Sequence, residues 1–156
     1  MMDLDELFEH GRQFAMTQFN AAGEVLPMWI AVTHDEELVP IVVPNAPSKD
    51  ALVGAIKDLF KERQVIRYVQ MLEGWMIVVD PKKDPDEAKR YIEEGHAISE
   101  HPKRVEILTI EASDGITTRM GQYRILRPSN EKPKLGKFEE MDGDTSEGRF
   151  SHLLGR

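Results

Sequence analysis

One run restricts the fold of this chain more than any other. From Ile66 to Asp80 it reads Ile-Arg-Tyr-Val-Gln-Met-Leu-Glu-Gly-Trp-Met-Ile-Val-Val-Asp. At about 3.3 Å per residue, such a run crosses a whole domain as one strand. Tyr68, Leu72, Met76 and Val78 fall on one face, and Val69, Met71, Trp75, Ile77 and Val79 on the other. A strand apolar on both faces is covered on both, which places this one inside a sheet. Glu73 interrupts the second face between Met71 and Trp75. A carboxylate there must find a partner or keep its proton.

The flanking segments supply the rest of a sheet and its cover. Leu4, Leu7, Phe8, Gly11, Phe14, Ala15 and Phe19 recur at helical spacing over residues 4–19, with Asp3 as cap. Met28–Thr33 and Leu38–Val43 read as a hairpin around a polar turn, with His34 at its solvated tip. Pro40 removes a backbone donor and pushes the second strand towards an edge. Ser48 caps a second helix over residues 50–64, striped by Leu52, Ala55, Ile56, Leu59 and Phe60. Asp84-Pro85-Asp86-Glu87 predicts a short inserted helix ending at Gly95, with Asp84 as N-cap and Glu87 closing a capping box. Residues 104–112 and 116–127 read as antiparallel strands joined by Ser113-Asp114-Gly115, after which Pro128-Ser129-Asn130 closes the sheet.

This order predicts an α+β fold in a single domain: an antiparallel or mixed sheet of about five strands with two to three helices. The α+β domain spans residues 1–128. Residues 129–156 form a C-terminal extension in which Leu135 and Phe138 offer one short strand or docked segment. Its end, with Phe150, Leu153 and Leu154, docks on the body or on another copy.

Composition narrows the function. The chain lacks cysteine, which removes disulfides, thiolate metal sites and cysteine nucleophiles together. Its net charge is −8, most of it within residues 1–64, and this acidity argues against nucleic acid and membrane surfaces as partners. No apolar run approaches the ~18 residues of a membrane span, and the acidic Met1-Met2-Asp3-Leu4-Asp5 start is unlike a secretory signal. A cytoplasmic protein is expected. No Gly-rich phosphate loop and no Gly-x-Ser-x-Gly elbow occurs.

Glu73-Gly74-Trp75, the His101-Pro102-Lys103-Arg104-Val105-Glu106 stretch and the segment from Tyr123 to Arg127 together resemble a group of small uncharacterised bacterial and bacteriophage proteins. That group carries a Glu-x-Trp strand, a His-Pro-x-Arg-x-Glu stretch and a Tyr-x-Ile-x-Arg-like strand. The resemblance covers residues 60–128 and implies phage association, with no activity to carry over. A second comparison is with metalloproteases of the JAB type, which use a Glu on a strand, His-x-His-Pro, then Ser and Asp. Here Glu73, His96, His101-Pro102 and Asp114 stand in that order, but the two His are five residues apart and Ser99 precedes His101.

The favoured reading is a non-enzymatic binding or interaction protein with no cofactor. Its ligand or partner site comprises Glu73, Trp75, His101, Arg104 and Arg124, and its partner is a protein or a small ligand. Glu73 is expected to be ionised and bonded to Arg104, Arg124 or His101. The rival is a metal-dependent hydrolase of JAB-like architecture using His96, His101 and Glu73. A homodimer is the expected assembly, from the apolar C-terminal cluster and the edge at 38–43.

Overall fold

A computed structural model describes residues 2–43, 48–77, 82–141 and 153–154. The first helix, α1 (Leu4–Ala22), begins where Asp3 accepts the Glu6 backbone N–H at 2.8 Å. Glu6 reaches back to the Asp3 N–H, completing a capping box. It stops at Gly23, whose φ of 76° is the left-handed conformation that glycine adopts without a Cβ penalty. Strands β1 (Met28–Thr33) and β2 (Leu38–Val42) form the expected hairpin. Helix α2 (Lys49–Glu62) is capped by Ser48, whose hydroxyl accepts the Ala51 N–H. Strand β3 (Val65–Met76) follows. The short helix α3 (Glu87–Glu93) and a 3-10 turn at Ile98–Glu100 then lead to β4 (Val105–Ser113), β5 (Thr118–Leu126) and β6 (Lys134–Met141).

The strands make one antiparallel sheet in the order β2-β1-β3-β4-β5-β6, with β3 in the interior. The class is α+β, with three helices and six strands among the described residues. The sixth strand corrects the sequence reading, which closed the sheet at Pro128-Ser129-Asn130. Residues 134–141 belong to the body because Leu135 and Phe138 pack on the α1 core.

Alternation on β3 divides the two cores as its sequence implies. Val69 and Met71 join Leu7, Phe8, Ala15, Phe19, Leu108 and Ile110 under α1. Tyr68 and Leu72 join Trp29, Ile56, Phe60 and Leu153 under α2. Burying each large side chain of this kind contributes about 1.5–3 kcal/mol. Arg12 ties α1 to the far strands: it donates to the Tyr123 hydroxyl at 2.9 Å, and its guanidinium lies 5.3 Å from the Phe138 ring centroid.

Leu153 is buried beside Phe60 and Tyr68, so part of the C-terminal extension docks on the body; Phe150 lies outside the described residues. The predicted capping box of α3 is absent. Asp84 is drawn away by a two-pronged pairing with Arg90, and Asp86 occupies the N-cap without a side-chain bond.

The phase of the β1–β2 ladder can be read from the turn. Thr33 N–H donates to the Glu37 carbonyl at 3.0 Å, and opposed residues alternate between bonded and non-bonded pairs. Ala31–Val39 and Trp29–Ile41 are therefore bonded pairs, and Ile30–Pro40 is not. The missing donor of Pro40 faces outward, where it costs no ladder bond and blunts the edge.

Candidate functional site

Beyond the last β1–β3 pair, Met28–Met71, strand β3 continues through Glu73 and Trp75, where β4 is the one described strand beside it. Glu73 lies opposite Leu108 and Trp75 opposite Glu106, so these four side chains share the α1-side face. The helix does not cover this end, and Trp75 remains 43% exposed. Arg104, just before β4, stacks its guanidinium 5.2 Å from the Trp75 ring centroid and donates to the His101 carbonyl at 3.1 Å. Glu106 is gripped by Arg127 through two bonds of 2.6 and 2.8 Å, which hold its carboxyl below the ordinary carboxylate range. The Glu-x-Trp, His-Pro-x-Arg-x-Glu and Tyr-x-Ile-x-Arg-like segments thus meet in one cluster.

His101 is buried under the inserted helix. Its Nδ1 accepts the Lys103 backbone N–H at 3.0 Å, Nε2 lies 3.3 Å from Glu87 Oε1, and Tyr91 packs edge-on at 4.6 Å. An accepting Nδ1 places the ring proton on Nε2, aimed at Glu87. Both nitrogens are then committed and no lone pair is left for a metal. His96 stacks on the other side of Tyr91, with centroids 4.7 Å apart. Among the described residues no three His, Asp or Glu side chains are grouped to hold a metal. His34 pairs with neighbouring Asp35 in the exposed turn.

Two expectations for the site are corrected. Among the described residues Glu73 binds neither an Arg nor His101; its Oε1 accepts the Val25 backbone N–H at 3.1 Å. The chain leaving α1 reaches this carboxylate before any cation does. Partial desolvation raises the Glu73 pKa above its ordinary value. The Val25 bond opposes that shift, the charges of Glu24 and Glu106 add to it, and Arg127 offsets it weakly. Arg124 is also misplaced by the sequence reading. It pairs with Ile107, which pairs with Gly74, and so it lies on the opposite face of the sheet from Glu73. The structure brings Trp75, Arg104 and His101 together, sets Glu73 beside them and excludes Arg124.

Sequence reasoning missed Arg127 as the clamp on Glu106, although both stand in the quoted motifs. It also missed a buried polar chain on the α2 side. There Trp29 Nε1 donates to Gln70 at 3.0 Å, and Gln70 donates to the buried Glu111 carboxylate at 2.6 Å. Gln70 and Glu111 are directly opposed, so alternation alone pairs them. Nearby, the Tyr68 hydroxyl bonds Ser113 and the Leu153 backbone, and burial raises its pKa. A separate open groove of about 430 Å³ lies at the end of α2, lined by Lys57, Phe60, Lys61, Gln64, Val65 and Leu154 among others.

Comparison with protein-family models, curated proteins and solved structures finds no match. No helix among the described residues is long and apolar enough to cross a membrane.

Proposed function

We propose that this chain is a binding protein that anchors a protein partner on the Trp75–Arg104 stack. The observation that carries this reading is the exposed indole. Trp75 carries the Arg104 guanidinium on its ring and lies opposite Glu106, which Arg127 clamps, with nearly half its surface open. Trp and Arg are, with Tyr, the residues enriched among those that dominate protein interfaces, and Trp offers a large, stiff contact area at little entropic cost. A bacterial or bacteriophage setting is part of the proposal and rests on the short motifs that converge here.

The test uses the purified chain as bait, beside Trp75→Ala, Arg104→Ala and a control, Ile116→Ala, in the exposed β4–β5 turn. A genuine partner binds wild type and control alike. It is weakened about thirtyfold or more by Trp75→Ala, the loss expected at a hot spot of roughly 2 kcal/mol. A partner held equally well by all four proteins would refute the site.

A further inference from the structure

The same end of β3 has a backbone edge that no described strand pairs. Trp29 and Ala31 turn their backbone groups towards β2, so Met28, Ile30 and Val32 turn theirs towards β3, opposite Met71, Val69 and Arg67. Along β3 the direction alternates. The N–H and C=O groups of Glu73 and Trp75 therefore point the same way as those of Met71, into the space beside β1. No described strand stands there. Strand β1 starts only at Met28, and the chain before it gives the Val25 N–H to the Glu73 side chain. Two donors and two acceptors thus face outward about 6.8 Å apart, the repeat of a two-residue step.

We infer that this edge of β3, residues 72–76, accepts an extended segment of another protein as an added antiparallel strand, with basic residues alternating with a large apolar one. The inference rests on the Trp75 reading and specifies the chemistry of the partner. Backbone pairing supplies the register, as in other strand-addition complexes. Partner residues opposite Glu73 and Trp75 share their face. One meets a carboxylate to which no cation among the described residues is bonded and which stands near Glu24; the other meets the indole. Lys or Arg suits both positions, through an ion pair and a cation–π contact. The net charge of −8 steers such a segment inward. The residue between them turns to the other face, over Gly74. A Cβ on Gly74 would meet no neighbouring atom within 4 Å, so bare backbone lies there between the half-buried Leu72 and Met76. A Phe or Ile covers that gap, as aromatic residues do opposite strand glycines.

The probe is the acetylated, amidated peptide Val-Lys-Phe-Lys-Val, titrated into the isotope-labelled protein while the Glu73 and Trp75 amide signals are followed. Saturable binding is expected, with these two amides shifting most. Methylating both lysine backbone nitrogens removes the donors aimed at β3 and weakens binding about tenfold or more, whereas methylating the Phe nitrogen, which faces solvent, changes it less than about threefold. Equal tolerance of methylation at either place overturns strand addition while leaving a side-chain anchor at Trp75. Retention of the methylation pattern in Trp75→Ala at wild-type affinity has the reverse meaning: the edge stands and the anchor falls. Absence of saturable binding at millimolar peptide, or shifts confined to β2 or β6, also overturns the inference. Self-association in sedimentation, abolished by Trp75→Ala, would make the occupant a second copy and overturn it as stated.

Discussion

Replacing Gly11 by alanine sets two opposed effects against each other. In a helix interior alanine is favoured over glycine by about 1 kcal/mol, so the change should stabilise an open site. At position 11 the added Cβ would stand 2.5 and 2.9 Å from the two γ-methyl carbons of Val69. Carbon atoms prefer about 3.5–4.0 Å, so the overlap is near 1 Å. Neither side can yield cheaply. Val69 is β-branched, fully buried and paired with Ile30 and Ala112, while α1 is held to the same sheet by Leu7, Phe8, Ala15 and Phe19. Overpacking of this kind costs roughly 1–3 kcal/mol, and the overlap here argues for the upper half. Net destabilisation of about 1–2 kcal/mol follows, a melting point lower by roughly 2–8 °C for a chain this size. Gly54 in α2 is the internal control: it is exposed, with no atom within 4 Å of its would-be Cβ. Gly54→Ala should stabilise by about 0.5–1 kcal/mol. Urea unfolding with unchanged slope measures both. Gly11→Ala at or above wild-type stability would show that α1 does not sit this close to β3. Adding Val69→Ala should recover part of the loss, making the pair non-additive by about 1 kcal/mol or more.

The carboxylates at the site should give opposite pH signatures. A Glu73 pKa raised on folding costs stability once pH passes its unfolded value, so Glu73→Gln gains on wild type as pH rises through the window just above the ordinary carboxylate range. Glu106 is depressed by Arg127, so its contribution is present above its unfolded pKa and fades as pH falls through the folded one. Wild type should therefore lead Glu106→Gln at neutral pH and lose that lead on acidification; urea midpoints over a pH series that moved together would contradict both signs. Of the two indoles Trp29 is fully buried and Trp75 is open beside the Arg104 guanidinium, so Trp75→Phe should remove most of the iodide-quenchable fluorescence. Unchanged quenching would place the accessible indole elsewhere.

The fold was largely legible because its signals are local. Helical spacing marked α1 and α2, alternation marked β3, and Ser113-Asp114-Gly115 marked the β4–β5 hairpin. Strand β6 was marked only as one short strand or docked segment around Leu135 and Phe138, because its polar residues and glycine give little strand signal; it joins the sheet through tertiary contact with the α1 core. The site was half legible for a related reason. Trp75, His101, Arg104 and Glu106 sit in recognisable motifs, but the partner of Glu73 depends on where β1 begins, and Arg124 turns on a single step of register. A one-residue count error moves a side chain through the sheet, and no local pattern guards against it. The Gln70–Glu111 pairing was hidden differently: two polar residues on an apolar face look like interruptions until the strands are laid side by side.

The reach of Arg12 also has a consequence in time. Its hydroxyl acceptor, Tyr123, lies 111 residues later in the chain, and Phe138, whose ring flanks both Phe8 and Arg12, comes later still. At a synthesis rate of about 5–20 residues per second, α1 leaves the ribosome roughly 5–20 s before these strands exist. During that interval Leu7, Phe8 and Phe19 lack the full sheet that covers them. The capping box at Asp3 and Glu6 and the Gly23 terminator act within the helix itself, so a nascent α1 can begin to form without its neighbours. Its apolar stripe must then wait, shielded or at risk of misassociation, until β3 to β6 arrive.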